Sequence, residues 1–222
     1  MREREPNPQE RKIFFHFVRH GEPEEYGETD SPLSPIGRRQ IEGYARNFLN
    51  SLEGKPEVRI AYSRRRRTRE SADIIEAAFK SSPGVYFGMW PQNSIEPHDT
   101  LEPLIEAGID SREAFSEWRK NAEFVYKEVV DIRGPKDIWD DIHRVVRRFL
   151  NISSVIPKNK PDWHLILVTH ETTIASLAAE IGVDLDNLQI GYAESLKIEI
   201  SDERMKYSFR DLLVEKPIEK RG

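Results

Sequence analysis

Cysteine is absent from this sequence, and that one absence removes disulfides, thiolate metal sites and a cysteine nucleophile together. Long apolar runs are missing as well. Nowhere does the chain reach the ~18 apolar residues that a membrane-spanning helix needs, and the polar start MREREPNPQERK lacks the apolar core of a secretory leader. Nor is there an excess of positive charge: 34 Lys and Arg stand against 39 Asp and Glu, a formal net charge of −5, which argues against a general nucleic-acid binder. The expectation is a soluble cytoplasmic protein with neither a nucleic-acid nor a membrane partner.

A chain of 222 residues fits one ordinary domain with a substantial core, since domains of roughly 100 to 200 residues are the norm. A single domain over 1–222 is expected, with residues 1–11 a polar tail. KIFFHFV (Lys12 to Val18) and WHLILV (Trp163 to Val168) are near-continuous apolar runs, the pattern of central parallel strands covered on both faces. VRIAY (Val58 to Tyr62) alternates and predicts a third strand. Between the first and third lies a helix, with Ser34 as N-cap, Pro35 in its first turn and Ile41, Tyr44, Phe48 and Leu52 on one face. Its interior Gly37 is a weak helix former.

Further helices are predicted in TRESADIIEAAF, from about Asp110 through Phe115, Trp118 and Val129, after Pro135 through Phe149, and after His170 with Ile174, Leu177, Ala178 and Ile181, closed by Gly182. The Pro- and Gly-rich stretch SSPGVYFGMWPQNSIEPHDT (Ser81 to Thr100) predicts mainly loop with a short strand. ESLKIEI and MKYSFRDL predict a terminal hairpin. Strands interleaved with helices give an α/β fold, a three-layer α/β/α sandwich with a mostly parallel central sheet.

In such sheets ligands bind beyond the carboxyl ends of the central strands. Arg19 and His20 occupy one such end, Thr169 and His170 another, and SRRRRTRESA follows a third. Three segments bearing cations or imidazoles thus converge on one rim, which suits an anion; the planar fork of arginine matches phosphate oxygens. Gly21 lets the backbone come close to that anion.

VRHGEPEE, the Leu-Ser-x-x-Gly-x-x-Gln segment at Leu33 to Gln40, the Ser-x-x-x-Arg-Thr-x-x-Ser-Ala segment at Ser63 to Ala72, and VTHE at Val168 to Glu171 resemble, in order and spacing, the histidine phosphatase superfamily, the phosphoglycerate mutase-like proteins. The resemblance runs from about Phe14 to Gly182. It implies a phosphoglycerate mutase-like fold and a metal-independent phosphohistidine mechanism with no cofactor. His20 would take the phosphoryl group, and Arg19, Arg67 and His170 would bind its oxygens. Preorganised cations in a dry pocket lower the barrier to phosphoryl transfer, and a neutral imidazole can attack. The leaving oxygen needs a proton, for which the resemblance offers two carboxylates, Glu102 in DTLEPLIEAG and Glu171 directly after the second histidine. Glu22 is a nearby polar contact, Thr169 a neighbour of the second histidine, and Arg64 a cation able to reach a longer anionic substrate.

Other readings are weaker. His16 and His20 lie four apart, but on a strand this separates them by roughly 13 Å, too far to share a metal. HETTI starts like a zinc-protease motif, yet Ile174 occupies the place of the second histidine. His98, His143 and His164 carry no motif and are expected to be ordinary surface or packing residues, and Arg38 and Arg39 to decorate an exposed helix face. Three functions remain: a phosphomonoesterase acting on a small phosphorylated metabolite or a phosphoprotein, a phosphoglycerate mutase, and a non-catalytic phospho-ligand module. Residues from about 81 to 131 are expected to cover the substrate and to set specificity.

Overall fold

The computed structural model describes residues 12–26, 28, 30–53, 56–63, 65–82, 86–87, 95–97, 162–184, 188–201 and 204–217. The expected tail 1–11, the helices placed after Asp110 and Pro135, most of the covering segment, Glu102, Arg64, His98 and His143 lie outside the described residues.

Strand β1 (Ile13–Arg19) is buried along its whole length because both of its edges and both of its faces are occupied. Along one edge it pairs in parallel with β5 (Trp163–Thr169), Ile13 opposite Trp163 and Arg19 opposite Thr169. Along the other it pairs antiparallel with β6 (Ser195–Ser201). β5 in turn pairs in parallel with β2 (Glu57–Tyr62), and two short strands, β3 (Tyr86–Phe87) and β4 (Ile95–Pro97), lie in parallel along the outer edge of β2. β7 (Arg204–Phe209) and β8 (Leu212–Pro217) extend the other side as an antiparallel meander. The order is β3-β2-β5-β1-β6-β7-β8, with β4 beside β2. The expected mostly parallel centre is present, and an antiparallel flank completes a mixed sheet.

Helices α1 (Pro35–Ser51) and α2 (Arg66–Lys80) cover one face and α3 (Glu171–Glu180) the other. Alternation in the strands sorts side chains between two cores. Phe15, Phe17, Leu165 and Leu167 meet Ile174 and Leu177 of α3. Val18, Ile60, Ile166 and Val168 meet Ile41 and Phe48 of α1 and Ile75 of α2. Ser34 caps α1 as the sequence predicts, its hydroxyl accepting from Gly37 N at 3.0 Å. α2 begins at Arg66, before the predicted Thr68, which places Arg67 in its first turn. Gly182, at φ 84°, follows α3 in the left-handed conformation that favours glycine. Among the described residues no helix is long and apolar enough to cross a membrane.

The parallel register of β1 and β5 brings His16 and His164 together on the face covered by α1, with His16 Nε2 3.1 Å from His164 Nδ1. Phe14 stacks on His164, and Phe48 meets both rings edge-on. His164 is thus a packing residue, as expected. One ring donates and the other accepts, so the accepting ring must be neutral and the pair cannot hold two protonated imidazoles. Burial is the main cause that holds both below the usual value, with Lys197 also disfavouring charge; His164 falls to about 4. Because these groups bind protons more readily in the unfolded chain, the stability they contribute is present above pH ~6.5 and is lost as pH falls toward about 4. Urea unfolding between pH 7 and pH 4.5 should therefore show a loss of a few kcal/mol. His16→Gln combined with His164→Gln should make that slope shallower, the remainder coming from His20 and His170, which burial also holds below the usual value; an unaltered slope would count against the pair as an acid-sensitive element.

Candidate active site

Each functional side chain leaves the sheet at the carboxyl end of a parallel strand. Arg19 ends β1 and His20 follows it; Ser63 follows β2; His170 follows β5. Backbone bonds fix these ends to one another. His20 N donates to Thr169 O at 3.0 Å, Ser63 N to Val168 O at 3.0 Å and Arg19 N to Glu194 O at 2.9 Å. Helices α2 and α3 begin at the same rim, so the positive ends of two helix dipoles add to its preference for an anion.

His20 is buried, and its Nδ1 lies 2.7 Å from Gly21 O. A carbonyl only accepts, so Nδ1 carries the proton and Nε2 keeps its lone pair. That lone pair faces Arg67, whose Nε donates to it at 3.0 Å. The same guanidinium reaches His170 Nδ1 at 3.5 Å and Glu28 O at 3.4 Å. Since Arg67 can only donate, His170 accepts at Nδ1 and donates from Nε2 to Ser63 Oγ at 2.8 Å. Ser63 is held in turn by Thr68 at 3.0 Å, and Thr68 donates to backbone carbonyls of Ser63 and Arg65.

Arg19 is enclosed on three sides. Its Nη1 donates to Ile190 O, its Nη2 lies 2.6 Å from a carboxylate oxygen of Glu171, and its guanidinium carbon sits 4.0 Å from the centre of the Tyr192 ring. Burial, and then Arg67, lower the affinity of both imidazoles for protons: His20 and His170 are held well below 6.5 and are neutral at pH 7. Arg67 is pushed down to about 10, first by burial and then by Arg65 and Arg19, and remains a cation.

Arg19, His20, Arg67, His170 and Glu171, picked out in the sequence, therefore meet in one buried cluster. Thr169 supports it from behind, its hydroxyl donating to Thr173 Oγ1 at 3.1 Å and its carbonyl accepting from His20 N. Glu22 takes part through its main chain, with N donating to Gln40 Oε1 at 3.0 Å and O accepting from Ser34 N at 2.9 Å. At Gly21 the close neighbour is protein: a β-carbon there would lie 2.4 Å from Gly37 O. Tyr192, Tyr26 and the carbonyls of Ile190 and Glu28 carried no signal in the sequence, because an aromatic in a loop is indistinguishable from a packing residue until its neighbours are known. Arg38 and Arg39 are exposed, as expected.

Residues 15–89 match the profile of the histidine phosphatase superfamily (branch 1). No curated protein matches the chain at a significant level. Among solved structures, a phosphoglycerate mutase from Bacillus anthracis str. Sterne is 14% identical with a TM-score of 0.54, the alignment covering 87% of this chain and 90% of that one. A protein described as mycobacterial hydrolase 2 is 18% identical with a TM-score of 0.53, covering 93% and 89%. A mycobacterial glucosyl-3-phosphoglycerate phosphatase is 18% identical with a TM-score of 0.50, covering 85% and 91%. At these identities the structures speak for the fold, and the sequence match speaks for the rim that carries Arg19, His20 and Arg67. The comparisons thus show a match to the histidine phosphatase superfamily (branch 1) over residues 15–89 and a phosphoglycerate mutase-like fold.

Proposed function

We infer that this protein is a metal-independent phosphomonoesterase that works through a phosphohistidine at His20. The observation that carries this reading is the pair of bonds at His20: Nδ1 is committed to Gly21 O, and the free electron pair of Nε2 is turned toward a guanidinium. This arrangement suits nucleophilic attack on a phosphorus atom whose oxygens are held by the same guanidinium.

In the proposed reaction Arg67 shifts from the Nε2 lone pair to the equatorial oxygens of the arriving phosphoryl group, joined by Arg19 and His170. His20 Nε2 forms a bond to phosphorus as the bond to the ester oxygen breaks, and water later releases inorganic phosphate from the imidazole. Fixed cations in a water-poor pocket stabilise the charge on the transferring group without reorganisation. Glu171, paired with Arg19 at 2.6 Å, serves in this reading as the carboxylate that orients that arginine. A carboxylate so engaged has no proton to give, and the leaving oxygen takes its proton from Glu102.

Hydrolysis of p-nitrophenyl phosphate with EDTA present tests the activity directly. Turnover that survives EDTA is expected; turnover that EDTA abolishes, or none, would overturn the reading. The donor is tested by leaving group. Glu102→Gln should slow an alkyl phosphate, whose alcohol must be protonated, far more than p-nitrophenyl phosphate. Glu171→Gln should slow both alike, through loss of Arg19 orientation. The reverse pattern would make Glu171 the acid.

A further inference from the structure

Two tyrosines line the way out of the buried cluster, and neither is used in the chemistry above. The Tyr192 ring lies over the Arg19 guanidinium with its centre 6.0 Å from that of His20. Tyr26 meets Tyr192 edge to face, centres 6.4 Å apart and planes at 70°. Exposure rises along this line, from 5% at His20 to 43% at Tyr26, with Tyr192 half-buried between them. A continuous aromatic surface thus runs from the proposed nucleophile to solvent.

Both rings are carried by fixed backbone. Tyr26 stands on the loop after His20, whose base is closed by Glu24 N donating to Pro32 O at 2.8 Å and Glu25 N to Ser31 Oγ at 2.8 Å. Tyr192 precedes Ala193, which adopts φ 59°. Its turn is braced by Glu194, which accepts from Gly191 N at 2.6 Å and pairs with Arg210 at 2.7 Å. A lone exposed aromatic is ordinary. Here the exposed ring is instead the outer member of a pair whose inner member touches the Arg19 guanidinium. A phosphoryl group held among Arg19, Arg67 and His20 must extend its alcohol portion from that buried point toward solvent.

We propose that Tyr26 and Tyr192 form a subsite for the alcohol portion of the substrate and select phosphomonoesters whose alcohol carries a flat ring over small aliphatic or acidic ones. The proposal rests on the phosphate pocket of the preceding reading. A ring laid on Tyr26 gains both apolar burial and the offset or edge-on geometry that aromatic pairs prefer. Small aliphatic alcohols gain neither in comparable measure.

The test compares benzylphosphonate with propylphosphonate, two non-hydrolysable probes with the same anion and different tails, by titration calorimetry on the whole chain. The native protein should bind the benzyl probe about tenfold more tightly. Tyr26→Ala and Tyr26→Gln should bring the two affinities within about twofold of each other, while Tyr26→Phe, which keeps the ring, retains the preference. Equal affinity for the two probes in the native protein, or a preference that survives Tyr26→Ala, would overturn the subsite and leave the phosphate pocket standing. Failure to bind either probe would overturn the pocket and the subsite with it.

Discussion

His20→Ala is expected to lower kcat on p-nitrophenyl phosphate by about four orders of magnitude or more, as removing the nucleophile of a cooperating catalytic cluster does elsewhere. The size follows from what the side chain supplies: it is the group whose lone pair is exposed to the cations of the cluster, and burial together with Arg67 keeps it neutral at pH 7. Arg67→Ala should cost about two to three orders of magnitude, the scale of removing one preorganised charge-stabilising group. It should also release His170, whose Nδ1 the same guanidinium reaches. The double variant should be little worse than His20→Ala alone, since in the proposed reaction both residues act on one phosphoryl group. Additive losses in the double variant would mean that the two side chains serve separate steps.

Gly37→Ala is the second large expected effect, and it falls on stability. A β-carbon at Gly37 would lie 2.1 Å from Glu22 O, against backbone that cannot rotate away. The chain would have to open the contact between the first turn of α1 and the segment after His20, at a cost of about 3 kcal/mol or more and ~10 °C in Tm. Gly43 provides the control. It lies in the same helix with no atom within 4 Å of its would-be β-carbon, so Gly43→Ala should raise stability by about 0.5–1 kcal/mol through helix propensity and reduced freedom of the unfolded chain. Calorimetric melting of the two variants gives opposite signs if the contact is as described; a neutral Gly37→Ala would contradict it.

Gly37 also shows what a sequence can and cannot disclose. Taken alone, it is a weak helix former tolerated near a helix start; its function as the surface on which Gly21 rests is a contact between the first turn of α1 and the segment after β1, which neither stretch encodes by itself. The same distinction runs through the fold. β1 and β5 were readable because burial on two faces demands apolar runs, β2 because its residues alternate, and α1, α2 and α3 because their buried faces repeat at helical spacing. β8 was not readable: none of its six residues is fully buried, with Leu212 exposed and Leu213 to Pro217 alternating between exposed and half-buried, and it is held chiefly by backbone pairing with β7. The His16–His164 pair depends on the parallel register of two strands some 150 residues apart, which no local pattern encodes. In the site, Arg19, His20, Arg67 and His170 were legible because their spacing matches a known arrangement, whereas Tyr192 was not, since nothing in GYAES distinguishes a ring over a guanidinium from a ring in a turn.

The most direct test of the central claim is to trap the phosphorylated protein. Mixing native protein with p-nitrophenyl phosphate, quenching in alkali faster than one turnover and sequencing its peptides by mass spectrometry should place a single phosphoryl group on His20, stable in alkali and lost in acid. Turnover under such a quench with His20 unmodified, or with the phosphoryl group on another residue, would contradict the account.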